Sequence, residues 1–335
     1  MRLCLPVGAP IATVSPDSPP VDSDWPDATN TGYLNAPGYP GSLTTWSGGD
    51  VTSSGGTYQF RDVVGGIAIG SSGSHVSNVT FIGCRFRAAG DLNVVLFGDN
   101  ITFQYCSFEP ENLLPPPVSR AEGYGYGIAA NGAYLAEVQK LTVENCDFWG
   151  FANAIDAAGS TQAKPHVFRN NWFHDSRDDG GIDHTDGIGA LNNDNGGSYV
   201  VIDHNTIESV ANTNAIAFQF SSTGFHHFTI TNNLLGGWNY AINFGGVYPD
   251  TANSTAHDII FTGNTFSTRL PIQNGVNYQA WHTTSGSVWS NNRWKVPSGA
   301  AWGNIAHDGW FWLPTPGAQG TVNDVNYVSL TDYVP

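Results

Sequence analysis

The chain is poor in positive charge. Its 335 residues hold only 12 Lys and Arg against 28 Asp and Glu, a formal net charge of −16. A nucleic-acid partner would need a basic face, so none is expected. Methionine occurs once and charged residues make up only 12%, which leaves few strong helix formers. No apolar run reaches the ~18–20 residues of a transmembrane helix, so no membrane span is expected. Met1–Pro10 lacks the apolar core of ~7–15 residues that a signal peptide needs. The four cysteines, Cys4, Cys84, Cys106 and Cys146, form no C-x-x-C, which excludes the common zinc and redox motifs.

Glycine is abundant, at 40 residues, and aromatics reach 13%. With many Asn, Ser and Thr, this composition suits β architecture. Residues 1–30 carry six prolines, Pro6, Pro10, Pro16, Pro19, Pro20 and Pro26. Such a stretch is neither helix nor central strand. It reads as an extended arm, either a free leader or a segment that docks on a neighbouring subunit.

From there the chain repeats. One octapeptide returns as Val79-Thr-Phe-Ile-Gly-Cys84-Arg-Phe86, Ile101-Thr-Phe-Gln-Tyr-Cys106-Ser-Phe108 and Leu141-Thr-Val-Glu-Asn-Cys146-Asp-Phe148. It continues as His166–Phe173, Val200–Ile207, Phe228–Leu235 and Ile259–Phe266, with a degraded copy at Ser287–Trp294 and an earlier trace near Tyr58-Gln59-Phe60. Copies recur 22 to 40 residues apart, the spacing of solenoid coils. Apolar first, third and eighth positions are expected to point inward and the residues between them outward. The sixth position reads Cys84, Cys106, Cys146, Asn171, Asn205, Asn233, Asn264, Asn292. Stacked one coil above another, the asparagines predict a hydrogen-bonded ladder and the cysteines a small buried filler. The fourth position places Glu144, Arg169 and Asp203 in an outer charge ladder.

A second strand follows in most coils: Tyr126–Ala129, Asn153–Asp156, Asp186–Gly189, Asn214–Ala217 and Tyr240–Asn243. Its isoleucines align into one inward column. The chain therefore reads as all-β, a right-handed parallel β-helix over residues 31–295. It has the N-terminal extended arm (1–30) and a C-terminal aromatic cap or interface segment (296–335) with Trp302, Trp310, Phe311 and Trp312.

Charge concentrates in Arg177-Asp178-Asp179-Gly180-Gly181-Ile182-Asp183-His184-Thr185-Asp186-Gly187-Ile188. Asp and Gly favour turns, so a plain solvated turn is one reading. The other is a site. The strand alignment puts Asp186 and Asp156 on neighbouring coils, with Asp183 and His184 on the turn leading in. These four are the candidate catalytic residues. Asn153, Asn214, Tyr240, Tyr126 and Arg177 are candidates for holding the hydroxyls of an extended polymer. Lys164, His166 and His174 come from the same pair of coils. Paired carboxylates suit glycoside hydrolysis. A cation with a nearby base suits elimination from a uronic acid. No cofactor is required by either route through these side chains. Asp178 and Asp179 offer oxygen ligands of the kind that hold Ca²⁺.

The octapeptide with its Asn column resembles the pectate-lyase-like right-handed parallel β-helix superfamily over about residues 55–295. His184-Thr185-Asp186-Gly187-Ile188 resembles the Asn-Thr-Asp-Gly-Ile segment of polygalacturonases, which implies a catalytic carboxylate at Asp186. The paired aspartates, Gly-His-Gly and Arg-Ile-Lys of that family have no counterpart here. More narrowly, Trp25-Pro26-Asp27-Ala28-Thr29-Asn30-Thr31-Gly32 followed by such a β-helix resembles minor tail and other virion proteins of actinobacterial phages. That resemblance implies a particle-surface location. It also implies neighbouring virion subunits or a homotrimer held through the arm, and engagement of host-envelope glycan, with or without depolymerase activity. The alternatives are a secreted extracellular polysaccharide lyase or glycoside hydrolase, and a purely structural fibre subunit.

Overall fold

A computed structural model describes residues 25–88, 90–111, 125–130, 138–157, 160–176, 185–190, 198–209, 214–219, 226–236, 240–245, 257–267, 276–277 and 286–295. Their strands form three parallel sheets of nine, ten and eight strands, each chain step moving to the next sheet. This is a parallel β-helix. We call sheet 1 the one built from the first half of each octapeptide, such as Val76–Ile82 and Gly98–Gln104. Sheet 2 holds the second half, such as Arg85–Ala88 and Asp147–Trp149. Sheet 3 holds the second strand, such as Asn153–Ala157 and Asp186–Ala190. The faint copy at Thr57–Gln59 pairs with Thr80–Ile82, and the degraded one at Val288–Ser290 pairs with Ile260–Thr262.

The bend from sheet 1 to sheet 2 falls at the fifth octapeptide position. Gly83, Tyr105, Asn145, Asn170, His204, Asn232, Gly263 and Asn291 all take positive φ there, between 50° and 70°. Asn and Gly fill most of these places because they tolerate the left-handed region best. The sixth residue then enters the interior. Asn205 Oδ1 accepts both the backbone N–H and the side-chain N–H of Asn171, at 3.0 and 2.9 Å. Asn205 Nδ2 in turn donates to Asn233 Oδ1 and to the Phe168 carbonyl, both at 2.9 Å. The pattern repeats through Asn264 to Asn292, so buried amides and backbone are satisfied together. Above Asn171 the column changes to cysteine, all of it buried and reduced. The Cys84 thiol is held above its usual range first by its contact with Cys106 and then by burial, and Cys106 chiefly by burial. Neither is a nucleophile in that state.

Apolar columns fill the interior as the alternation predicts. Phe86, Phe108, Phe148 and Phe173 stack at 4.9, 4.4 and 4.9 Å. The isoleucine column Ile128, Ile155, Ile188, Ile216, Ile242 is fully buried. On the outer face of sheet 1, Glu144 takes Arg169 Nε at 3.2 Å and Gln104 Nε2 at 3.1 Å.

The N-terminal segment takes a path that periodicity does not show. It runs along the outside of the bend, against the direction of coil stacking. Trp25 stacks on His204 at 5.4 Å. Gly32 N–H donates to the Asn145 carbonyl at 2.9 Å. Tyr33 N–H donates to Ser107 Oγ at 3.3 Å. Thr44–Thr45 then pairs with Arg61–Asp62 as the first strand of sheet 2. Trp46 closes this end over Tyr58 and Phe81. The described part of the expected arm, Trp25–Asn30, thus lies on this chain's own solenoid. Residues 1–24 and the expected cap at 296–335 lie outside the described residues.

Candidate functional site

Sheet 3 carries the sequence-predicted site, in the predicted register. Tyr126 pairs with Asn153, Asn153 with Asp186, Asp186 with Asn214, and Asn214 with Tyr240. Asp156 pairs with Ala129 on one side and Gly189 on the other.

Strict alternation would place Asp186 and residue 189 on opposite faces of the strand. The structure places them on the same face. A Cβ on Gly187 would meet Ile207 Cγ2 at 2.7 Å, so this position faces the core, and the next residue, Ile188, is a core residue too. Two successive inward positions act as a bulge does, returning the third to the outer face. A Cβ on Gly189 would accordingly lie 3.5 Å from Asp186 Cβ. Asp156 stands one strand spacing, ~4.8 Å, from Gly189, so Asp156 and Asp186 are side-chain neighbours. Gly189 is constrained as well, because its Cβ would sit 2.4 Å from the Ala217 carbonyl oxygen.

Asn214 Nδ2 donates to Asp186 Oδ1 at 2.7 Å. Asp186 is 2% exposed and Asp156 6%, with Asn153, Asn214 and Tyr126 similarly withdrawn from solvent. His184, Asp183, Arg177, Asp178 and Asp179 lie outside the described residues, as does the side chain of Tyr240. Among the described residues, no group of three or more His, Cys, Asp or Glu is arranged to hold a metal ion. No helix among them is long and apolar enough to cross a membrane.

Three basic groups expected near this site sit on other sheets. His166 opens an octapeptide and points into the core, its Nδ1 accepting the Leu141 N–H at 3.0 Å. Lys164 pairs with Asp99 at 2.7 Å beside sheet 1. His174 is on sheet 2. Its Nε2 faces Asp147 Oδ1 at 2.9 Å and its Nδ1 faces Asp175 Oδ2 at 2.6 Å. Coil membership was read correctly, but the intervening bends turn these residues to other faces.

His174 belongs to a row of polar and aromatic side chains on the outer face of sheet 2 that sequence reasoning missed. Asp62 accepts forked hydrogen bonds from both Arg85 and Arg87, at 2.7 to 3.1 Å. Arg85 also approaches Glu109 at 3.7 Å, and Trp149 Nε1 donates to Glu109 Oε2 at 3.1 Å. Trp172 stacks on His174. Burial pushes the Glu109 carboxyl above its ordinary range. Burial alone would lower His174, but the bonds to Asp147 and then Asp175 outweigh it and raise it to about 9. Burial pushes Asp62 up, yet its two arginines hold it below the usual carboxylate range. The missed signal was in the seventh octapeptide position and the residue after the eighth, which hold Arg85 and Arg87, Ser107 and Glu109, Asp147 and Trp149, Trp172 and His174.

No protein-family model and no curated protein matches the chain. Among solved structures, a mannuronic acid specific polysaccharide family 6 lyase from human gut microbiota is similar at 13% identity. The match covers 73% of this chain and 74% of that one, with a TM-score of 0.21.

Proposed function

We propose that the chain is a glycan-engaging parallel β-helix that hydrolyses a glycosidic bond at the carboxylate pair Asp156 and Asp186. The observation that carries this reading is the local bulge in sheet 3, which sets the two aspartates side by side on one outer face. Hydrolysis needs one protonated carboxyl as acid and one carboxylate as base or nucleophile. Asn153, Asn214 and Tyr126 flank the pair with amide and phenol groups that can hold hydroxyls. Hydrolysis is the reading adopted because the two groups that the strand register brings together are both carboxylates, the pair that glycoside hydrolysis uses.

No comparison points to a tail protein. The described part of the arm packs on its own coils. The proposal is therefore confined to glycan chemistry and leaves the location to labelling of particles and culture supernatants.

The test is release of reducing ends from cell-envelope polysaccharide by wild type, Asp186→Asn and Asp156→Asn. Activity in wild type with at least a hundred-fold loss in each variant is expected. Equal release by all three overturns the assignment of the pair. Product absorbance near 235 nm would mark elimination and overturn hydrolysis.

A further inference from the structure

We infer that the outer face of sheet 2, from Arg85 to His174, is a binding surface for a neutral, hydroxyl-rich glycan strand lying along the solenoid axis. The inference rests on the glycan reading above and assigns it a second surface, separate from the sheet 3 pair.

The floor is set by alternation. Phe86, Phe108, Phe148 and Phe173 point inward, so Arg85, Glu109, Asp147, Trp149, Trp172 and His174 point out. The strands that hold them are consecutive neighbours in the sheet, so the row is about 14 Å long at ~4.8 Å per strand. The N-terminal segment forms one wall. Gly32 takes φ 74°, and a Cβ there would lie 2.6 Å from Ser107 Oγ and 3.1 Å from Asp147 Cβ. The Arg85 guanidinium lies 5.6 Å over the Tyr33 ring. The N-terminal segment thus borders the row on one side, held there by the Tyr33 N–H bond to Ser107 Oγ.

The side chains are of the kinds that bind sugars. Trp149 and Trp172 are half-buried, so each keeps part of an indole for the apolar face of a ring. Carboxylates and guanidinium groups supply acceptors and donors for hydroxyls. Both are already held in place by hydrogen bonds, so little order remains to be gained on binding. Charge decides the class of glycan. Three cations, Arg85, Arg87 and protonated His174, face four carboxylates, Asp62, Glu109, Asp147 and Asp175, within a chain of net charge −16. A polyanion would find no net positive charge along this row and would approach a chain of strong net negative charge, whereas a neutral polymer meets neither cost.

The experiment is affinity electrophoresis of the full chain through gels containing dextran, glucomannan, galactan or polygalacturonate. The variants are Trp149→Ala, Trp172→Ala and Glu109→Gln, the last leaving the shape of the row intact. Circular dichroism and the melting temperature report whether each variant is folded. Retardation of wild type by at least one neutral polymer is expected, with at least a ten-fold loss of affinity in Trp172→Ala and Glu109→Gln. Quenching of tryptophan fluorescence by the same polymer should accompany it. Equal retardation of wild type and folded variants overturns the sheet 2 assignment and leaves the glycan reading standing. Retardation by polygalacturonate alone overturns the neutral class. No retardation of wild type by any polymer overturns this inference, and if reducing ends are not released either, the glycan reading falls with it.

Discussion

Asn214 Nδ2 and Asp186 Oδ1 meet at 2.7 Å across one coil of sheet 3, both buried. The pair fixes the orientation of the carboxylate that the proposed chemistry uses. Replacing Asn214 by Ala removes a donor from a buried acceptor, which costs about 1–3 kcal/mol. A double-mutant cycle of Asn214→Ala with Asp186→Ala, followed by urea unfolding, should give a coupling of about 0.5–3 kcal/mol. A coupling indistinguishable from zero would show that the contact does not hold in solution.

The ladder should be far less tolerant than the cysteine column that continues it. Asn205→Ala strands the Asn171 N–H groups and the Phe168 carbonyl, so a loss of about 3 kcal/mol or more is expected. Cys106→Ala removes a sulfur whose contacts, to carbonyls at 3.4 and 3.6 Å and to the thiols of Cys84 and Cys146, are weak ones, for about 1 kcal/mol. Unfolding midpoints of the two variants, side by side, check the order. Equal losses would mean that the amides contribute packing and little else.

His174 makes stability depend on pH in a stated direction. Its folded pKa is raised from 6.5 to about 9, so its contribution is fully present below about 6.5 and disappears as pH rises through about 9. At about 1.36 kcal/mol per pKa unit, the contribution is bounded near 3 kcal/mol. The unfolding free energy of wild type minus that of His174→Gln should therefore shrink between pH 6.5 and 9.5. A difference that is flat or grows over this window contradicts the imidazolium held between Asp147 and Asp175. The ring's own titration, followed by NMR, gives an independent reading.

Much of the fold was legible because a solenoid repeats one solution. The octapeptide marked sheets 1 and 2, and the Asn column marked the buried ladder. The aligned isoleucines set the register of sheet 3 well enough to pair Asn153 with Asp186 and Asp186 with Asn214. Each of these is a short-range pattern, two-residue alternation within a strand, copied from coil to coil. Coil membership did not give direction. His166, Lys164 and His174 were close to the site in coil number, yet they were turned away by bends whose angle no periodicity encodes.

The sequence by itself determined the architecture, the register and the inward columns, because burying apolar side chains in a stacked parallel sheet admits one phase. It also marked Asp186 and Asp156 as unusual in their columns. Only the tertiary structure decided that these two share a face, since that depends on two successive core-facing positions in one strand. It alone laid Trp25–Thr45 across coils as distant as Phe60 and His204, and it alone joined Arg85, Glu109, Trp149 and His174 into one row. Such contacts link residues tens to hundreds of positions apart, and they exist only once the coils have stacked.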